Sequence, residues 1–367
     1  MRALIASSAT GGHIYPALAV AEELVRRDPE TEIIFVGAKW EIGKDIVKTA
    51  GYRQVFIDAA GIDRKNLFKN FSVLLNLARS GGEIKKIIRD FKPDVCIGTG
   101  GHVSGPVIRV AKKSGVRTAL MEQNVIPGMA NKIAEKYADM VFVAFEGTVK
   151  YFKKPRKVIV SGNPVRTAFK EAAARRNELR KKYGVPEAAL CVLVFGGSQG
   201  ADAINDAGVE MIEKLSGQEG YYIILITGRQ LHGTILERLA GKNLSETRGY
   251  TVFDYSDAIY ELYAAADLIV ARAGALTVTE IAQSGKASIL VPSPNVTNNH
   301  QYYNAKVMAD ADAAVLLPEE NMNEGVLAAV VTELMSGQDK LAEMGRNAAG
   351  LARHDAAGVI VDEILGS

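Results

Sequence analysis

Short apolar runs alternate with amphipathic segments along almost the whole chain. Runs such as Ala3–Ala6 and Leu190–Phe195 are apolar throughout, which is typical of strands buried on both faces of a parallel sheet. The segments between them, such as Tyr15–Arg27, space their apolar residues as a helix does. The pattern predicts an α/β fold. Further strands are predicted at Glu32–Val36, Gln54–Asp58, Val95–Ile97, Thr118–Met121, Val158–Val160, Tyr222–Thr227, Thr251–Phe253, Ala266–Ala271 and Ala287–Val291.

A stretch with glycine and proline, Gly162–Arg166, divides this pattern in two. A basic run, Arg175–Lys182, follows it, and then the alternation of strands and helices restarts. Because 367 residues exceed the usual size of one domain, we expect two Rossmann-like domains, at 1–165 and 166–344. The tail, Met344–Leu365, is rich in alanine and is predicted to be helical.

The composition is that of a soluble globular protein rather than a membrane-spanning or disulfide-rich one. Hydrophobic residues make up 48% and charged residues 23% of the chain, as in soluble globular proteins. No apolar run approaches the ~20 residues that span a membrane, and Met1-Arg2 leads into a strand rather than a signal peptide. Cys96 and Cys191 both lie in apolar runs. We expect buried thiols in a reducing cytoplasm rather than a disulfide or a metal pair.

The net charge of +2 hides an asymmetry between the two halves. Residues 1–165 carry a net charge of +10 and residues 166–367 one of −8, which indicates that only the first half faces an anionic surface. Within that half, the spacing of apolar residues over 64–79 predicts a helix with one apolar face. This face either packs on the sheet or dips into an anionic membrane. The apolar positions are Leu67, Phe71, Leu74, Leu75 and Ala78, Phe68 lies beside them, and Arg64, Lys65, Lys69 and Arg79 flank them. A second stripe, predicted to be core, is Ile84, Ile87, Ile88 and Phe91.

Two glycine-rich loops follow strands of the first half. Ser7–His13 and Gly98–Pro106 share the tetrapeptide Thr-Gly-Gly-His, at 10–13 and 99–102. The carboxyl ends of parallel strands meet at one edge, so the loops should converge there, and two phosphate-binding loops suit a diphosphate. Neither the dinucleotide fingerprint nor a P-loop lysine is present. His13 is either an ordinary helix-start residue or a catalytic base.

The second half repeats this design around its own glycine loop, Gly196–Ala201. A strand ending near Ala271 leads through Gly274 into a helix, with Glu280 predicted in the first turn. Free N–H groups and the helix dipole would hold a phosphate there, and Glu280 would accept from sugar hydroxyls. The alternative is an ordinary βαβ turn with a capping glutamate. A polar loop ending at Gln301 lies after the next strand.

Taken together, these motifs resemble the MurG family of peptidoglycan glycosyltransferases. The matching stretches span nearly the whole chain in order. They are Thr10–His13 with Ile14 and Pro16, Gly98–Pro106, Glu122-Gln123-Asn124, Gly162–Arg166, Gly196–Ala201, Ala273–Glu280 and Gln301–Ala305. The resemblance implies a GT-B fold, with two Rossmann-like domains facing across a cleft and a C-terminal helix at about 345–367 packing back on the first domain.

The resemblance also implies an activity. GlcNAc would pass from UDP-GlcNAc, with inversion, to the C4 hydroxyl of MurNAc in undecaprenyl-diphospho-MurNAc-pentapeptide. The protein would lie on the cytoplasmic side of the bacterial cell membrane, held to its anionic surface through 64–79, with no nucleic-acid partner, no obligatory cofactor and no metal site.

Site residues follow from the matching positions. Implied donor contacts are Thr10, Gly11, Gly12, Asn124, Arg166, Ser198, Ser256, Ala275, Leu276, Thr277, Val278, Thr279, Glu280 and Gln301, with Glu280 on the ribose. The second loop offers Gly100, Gly101, His102 and Ser104 to the acceptor diphosphate. His13 is the first candidate for the catalytic base, Glu122 the second and His102 the third.

The chain departs from the family pattern in three places. Ser8-Ala9 stands where the family has two glycines, His300 stands where it has an amide, and Ser256 occupies a hydrophobic position near the uracil. The first change reduces backbone freedom in the loop, and the second replaces an amide contact with an imidazole. The third is tolerable if the contact is made by the backbone.

Parts of the sequence also fit other functions. Gly196–Gly200 matches the nucleophile elbow of α/β-hydrolases, with Asp254 or Asp267 and then His300 in triad order, but a hydrolase leaves the N-terminal loops unexplained. A UDP-GlcNAc 2-epimerase would not need the basic apolar face, and a nonenzymatic binder would show no acceptor-dependent UDP release. Asp310-Ala311-Asp312 resembles a metal-binding DxD, although it lies far from the glycine loops.

Overall fold

The computed structural model describes residues 1–8, 10–39, 45–58, 70–244 and 247–366. By contacts the chain divides into two compact units. The first unit is Met1–Val165 together with Arg353–Ser367, and the second is Arg166–Ala352.

Strands and helices alternate in both units. Up to Val160 they are β1 (Arg2–Ala6), α1 (Gly11–Arg27), β2 (Glu32–Ala38), α2 (Asp45–Thr49), β3 (Arg53–Ile57), α3 (Asn70–Phe91), β4 (Val95–Gly98), α4 (Gly101–Lys113), β5 (Arg117–Glu122), α5 (Met129–Ala134), β6 (Met140–Val143) and β7 (Lys157–Val160). In the second unit they are α6 (Ala168–Ala173), α7 (Arg176–Lys182), β8 (Leu190–Phe195), α8 (Asp202–Leu215), β9 (Tyr221–Ile226), α9 (His232–Gly241), β10 (Tyr250–Phe253), α10 (Ile259–Ala265), β11 (Leu268–Ala271), α11 (Ala275–Ser284), β12 (Ala287–Leu290), α12 (His300–Ala309), β13 (Ala314–Leu316), α13 (Val326–Ser336) and α14 (Gln338–Gly350). The last helix, α15 (Ala356–Leu365), returns to the first unit.

Each unit holds one parallel sheet. Within the described residues the strand orders are β3-β2-β1-β4-β5-β6-β7 and β10-β9-β8-β11-β12-β13. Both follow the doubly wound order, which reverses direction between the first and fourth strands of the unit. At this reversal Ala6 pairs with Gly98 in the first unit, and Phe195 pairs with Ala271 in the second. Ligands of open α/β sheets bind beyond the carboxyl ends of the strands at this point.

The core of the first unit lies on both faces of its sheet. Leu4 packs in the cluster that contains the α3 and α4 side chains, while its neighbour Ile5 packs on the opposite face. Side chains of a strand point alternately to the two faces, so both must be covered by helices. The α15 residues Ile360 and Ile364 complete the Ile5 cluster. The last helix is therefore part of the first unit's core. Burial of each side chain of this size stabilises the folded state by roughly 1.5–3 kcal/mol.

Several sequence predictions are confirmed. Cys96 and Cys191 are buried, unpaired thiols, and burial raises the pKa of Cys191 to about 12. In the stripe that was predicted to be core, Ile84, Ile88 and Phe91 are buried. The prediction of a membrane face at 64–79 falls outside what the structure describes. Residues 64–69 are not described, and neither are the side chains of 70–79. No helix in the described ranges is long and apolar enough to cross a membrane.

Other element predictions are wrong in detail. The strands β6 and β13 were not predicted. The tail, predicted as one helix, is two: α14 ends at Gly350, and α15 begins after Asp355, whose side chain accepts a hydrogen bond from the Gly358 N–H and so caps the new helix.

Candidate active site

The two glycine loops of the first unit meet at the carboxyl edge of its sheet. A Cβ on Gly101 would lie 1.8 Å from Ser8 Oγ, and one on Gly100 would lie 2.6 Å from the His13 ring. Both glycines have positive φ, 112° for Gly100 and 74° for Gly101. Only glycine allows this conformation and this approach without strain. The contact therefore explains the glycine pair of the second loop.

Ser104 supports this loop from below. Its side chain is fully buried, and its hydroxyl accepts from the Gly100 N–H (2.9 Å) and lies 3.0 Å from the Ala6 carbonyl oxygen. The prediction that Ser104 contacts the acceptor diphosphate is therefore replaced by a supporting role. His102, in the first turn of α4, is half-buried.

The helix α1 starts earlier than predicted. It begins at Gly11 rather than Tyr15, and the Ile14 N–H donates to the Thr10 carbonyl at 3.0 Å. Pro16 therefore lies inside the helix, where it has no N–H to donate to the Gly12 carbonyl. Thr10 and Gly12 are exposed. The first N–H groups of a helix lack intrahelical partners, so this end suits an anion.

The buried side-chain amide of Gln123 contacts His13. The Nδ1 atom of His13 lies 3.2 Å from Gln123 Oε1, and Gln123 Nε2 donates to the Thr99 carbonyl at 2.9 Å. Gln123 is only 2% exposed, and Asn163 Nδ2 donates to its backbone carbonyl at 3.1 Å. The sequence shows Gln123 in a polar motif but indicates no role for it, because the residues that it contacts are distant along the chain.

Glu122, the second candidate for the base, is engaged by four donors. Oε1 accepts from the backbone N–H (3.0 Å) and the side-chain amide (3.3 Å) of Asn124. Oε2 accepts from the Gly128 N–H (3.0 Å) and from Asn131 Nδ2 (2.8 Å). The side chain is 3% exposed. This geometry clamps the loop that carries Asn124, and it argues against a role for Glu122 as the base.

The second unit has its own close approach of loops. A Cβ on Gly200 would lie 2.1 Å from the Thr227 carbonyl oxygen, and one on Gly228 would lie 2.4 Å from the Gly200 nitrogen. Asn205 Nδ2 also donates to the Thr227 carbonyl, at 2.9 Å. Ser198 is exposed at the tip of this loop. Gly228 was missed from the sequence, since an isolated glycine after a strand carries little signal.

Glu280 lies one turn later than predicted. The helix α11 begins at Ala275 after Gly274, so the first turn holds no acidic residue. Burial raises the pKa of Glu280 to about 7, and the charge of Arg166 opposes the rise. The hydroxyl of Tyr263, which is fully buried, lies 3.4 Å from Glu280 Oε2. Glu280 is thus a half-buried carboxyl whose pKa lies well above that of an exposed glutamate.

Arg166 is held close to the same region. Its guanidinium lies over the rings of Phe169 and Tyr260, 5.5 and 5.6 Å from the centroids, and Nη1 lies 3.3 Å from the Asp257 carbonyl. Stacking on aromatic faces fixes a guanidinium without consuming its charge. The aromatic partners were not predicted.

The remaining donor candidates divide by burial. Val278 and Thr279 are 2% and 8% exposed, and Thr279 Oγ1 donates to the Ala275 carbonyl at 2.9 Å, so these side chains support α11. Ala275 is 8% exposed, while Leu276, Thr277 and Ser256 are half-buried. Gln301 Oε1 accepts from the Ser293 N–H at 2.8 Å, which ties the polar loop to the start of α12.

The structure contradicts the hydrolase alternative with Asp267. Ser198 follows the carboxyl end of β8, whereas Asp267 precedes the amino end of β11, at the opposite edge of the sheet. The Asp267 carboxylate is bound there by Arg176 (2.6 Å) and Arg180 (3.1 Å). In the DxD-like segment, Asp310 pairs with Lys306 at 2.6 Å. Among the described residues, no group of three or more His, Cys, Asp or Glu could hold a metal ion.

Two doubly wound units, each with glycine loops at the carboxyl edge of a parallel sheet, define the GT-B fold class. Residues 4–143 match the glycosyltransferase family 28 N-terminal domain, and residues 191–360 match the glycosyltransferase family 28 C-terminal domain. The chain therefore belongs to glycosyltransferase family 28.

Known proteins agree with this assignment over the full length. A relative from Finegoldia magna, 37% identical over 364 residues (99% of this chain and 97% of the relative), is named UDP-N-acetylglucosamine–N-acetylmuramyl-(pentapeptide) pyrophosphoryl-undecaprenol N-acetylglucosamine transferase. The crystal structure of Acinetobacter baumannii MurG is similar with a TM-score of 0.78 and 27% identity, covering 100% of this chain and 99% of that one. The resemblance inferred from the motifs is confirmed.

The fold alone is shared more widely. A UDP-GlcNAc 2-epimerase from Neisseria meningitidis, whose structure was determined with UDP-GlcNAc bound, has a TM-score of 0.71 at 12% identity and full coverage of both chains. At this identity the likeness shows the fold and not the reaction.

Proposed function

We propose that this chain transfers GlcNAc from UDP-GlcNAc to the MurNAc C4 hydroxyl of undecaprenyl-diphospho-MurNAc-pentapeptide, the product being lipid II for peptidoglycan synthesis. The observation that carries the proposal is the near-full-length likeness to transferases named for this reaction. The glycine loops of both units, each at a sheet edge, supply the sites that a nucleotide-sugar and a lipid diphosphate need.

The second unit would bind the donor. Glu280, in the second turn of α11, would accept hydrogen bonds from the ribose hydroxyls, and Ser198 with its glycine loop would face the diphosphate. Arg166, fixed on Phe169 and Tyr260, supplies a cation for the phosphate oxygens. Ser256 would meet the uracil through its backbone, and Gln301 the sugar.

The first unit would bind and activate the acceptor. The helix end after the second glycine loop would hold its diphosphate through Gly100 and Gly101, with His102 beside them. His13 would take the proton of the C4 hydroxyl on Nε2. The hydroxyl oxygen then forms a bond to the anomeric carbon as the bond from that carbon to the phosphate oxygen breaks on the opposite face. UDP leaves with the electron pair, and the configuration at the anomeric carbon inverts.

The departing diphosphate needs positive potential, which Arg166 and the helix N-termini provide. This scheme uses no metal ion and no cofactor. The basic first half and the apolar positions at 64–79 suit attachment to the anionic cytoplasmic face of the bacterial cell membrane, where the acceptor lipid resides.

UDP release tests the proposal. The chain should release UDP from UDP-GlcNAc only when a lipid I analogue is present. A 2-epimerase would instead convert UDP-GlcNAc to UDP-ManNAc without an acceptor, and a nonenzymatic binder would bind UDP-GlcNAc and release nothing. Either of these results would overturn the proposal.

A further inference from the structure

The amide of Gln123 can face His13 in one orientation only. Its Nε2 lies 2.9 Å from the Thr99 carbonyl oxygen, and a carbonyl oxygen accepts but never donates. The nitrogen must therefore point at Thr99, which leaves Oε1 as the atom 3.2 Å from His13 Nδ1. The orientation of the amide is thus set by a backbone group rather than by the histidine.

The orientation of the amide in turn determines where the proton lies on the imidazole. Oε1 of a glutamine has no hydrogen, so the contact is a hydrogen bond only if His13 Nδ1 carries the proton. In the neutral ring the lone pair is then on Nε2. We infer that Gln123 is a positioning residue, which holds His13 in the tautomer whose Nε2 can accept a proton from a substrate hydroxyl.

The surroundings support such a fixed role. Gln123 is 2% exposed, so water competes little for its oxygen. Asn163 anchors the backbone of Gln123 with a 3.1 Å hydrogen bond. On the other side, the positive φ of Gly100 leaves room for the ring, since a Cβ there would lie 2.6 Å from both Cε1 and Nδ1 of His13. The ring of His13 thus lies between the Gln123 amide and the Gly100 backbone.

The inference rests on the proposed role of His13 as the base, but its primary test does not depend on activity. Protein labelled with ¹⁵N in histidine, at a pH where the ring is neutral, reports the tautomer, because the protonated and unprotonated ring nitrogens have well separated chemical shifts. The chain has five histidines, and the His13 signals are assigned by their loss in His13→Asn. We expect the proton on Nδ1 in the wild-type protein. A proton on Nε2 would overturn the inference, whatever the activity.

Two variants test the link to catalysis. Gln123→Leu removes the acceptor, so the Nδ1–H form should lose its dominance and kcat should fall about 10- to 100-fold, with the Kd for UDP-GlcNAc nearly unchanged. Gln123→Glu keeps an acceptor toward Nδ1 and, with its carboxyl protonated, a donor toward the Thr99 carbonyl. It should therefore retain both the tautomer and more activity than the leucine variant. A leucine variant that folds and keeps wild-type kcat would refute the positioning role.

The same set separates this inference from the proposed function. If His13→Ala also keeps wild-type kcat, the assignment of the base has failed. If His13→Ala loses activity while Gln123→Leu does not, only the role of Gln123 has failed. Circular dichroism and the donor Kd establish that each variant is folded.

Discussion

Lowering the pH from 8 to 6 should weaken the binding of UDP-GlcNAc about tenfold, through protonation of Glu280. Burial raises the pKa of this carboxyl to about 7 in the ligand-free protein. Ribose hydroxyls donate to a carboxylate, so the donor favours the ionised form and lowers the pKa on binding. If only the ionised form binds, the apparent Kd rises by the factor 1 + 10^(pKa − pH), which is about 11 at pH 6 and about 1 at pH 8.

Isothermal titration calorimetry at pH 6 and pH 8 measures the Kd for UDP-GlcNAc directly. The diphosphate of the intact donor is a diester whose charge stays constant in this range, so the protein supplies the titrating group. Binding at pH 6 should release close to one proton, visible as a dependence of the measured heat on the ionisation enthalpy of the buffer.

The matched control is Glu280→Gln, which should bind more weakly at pH 8. A hydrogen bond to a charged group contributes about 1.5–3 kcal/mol, so the variant loses roughly 10- to 150-fold in affinity and shows a flat pH profile. A wild-type Kd that is equal at pH 6 and pH 8, or a variant with the same pH dependence as the wild type, would refute this account of Glu280.

Three further predictions concern the first unit. His13→Ala should lower kcat by about 10² to 10⁴ with the donor Kd nearly unchanged; a variant that keeps more than about a tenth of kcat would make His13 a binding residue. Gly101 has a φ of 74°, and a Cβ there would lie 1.8 Å from Ser8 Oγ. Gly101→Ala should therefore lower the free energy of unfolding by about 1–3 kcal/mol. Gly105→Ala, whose nearest contact would be 3.9 Å, is the control, and equal effects would contradict the argument. Finally, the chain should bind anionic vesicles less at high salt and less with Phe68→Ser plus Phe71→Ser; a double variant that unfolds would place this face in the core instead.

Much of the fold could be predicted because its signals are local. Apolar runs such as Leu190–Phe195 coincide with observed strands, and glycine loops after strands mark the sheet edges. The elements that were missed or misplaced also have physical explanations. The short strand Ala314–Leu316 is only three residues long, too few for a periodic signal. The helix α11 starts after Gly274, which has no side chain to mark the cap. The helix α1 starts at Gly11 after Thr10, a residue type that caps helices, but Pro16 favoured a later start.

The site could be predicted as a set of residue types but not as a set of roles. The Glu-Gln-Asn motif was recognised as lining the sheet edge, yet the sequence could not show that Glu122 clamps its own loop while Gln123 reaches His13. Those roles depend on contacts with Asn131 and Thr99, which only the fold brings together. Likewise the raised pKa of Glu280 depends on its burial in the folded unit.

The most direct test of the central claim is the structure of the product. The chain should be incubated with UDP-GlcNAc labelled with ¹³C at the anomeric carbon and with a lipid I analogue, and the disaccharide product analysed by NMR. We predict a single new β linkage from the labelled carbon to the C4 oxygen of MurNAc, as inversion of the α-linked donor requires. An α linkage, a linkage to another hydroxyl, or label recovered only as free GlcNAc or UDP-ManNAc would contradict the proposed reaction.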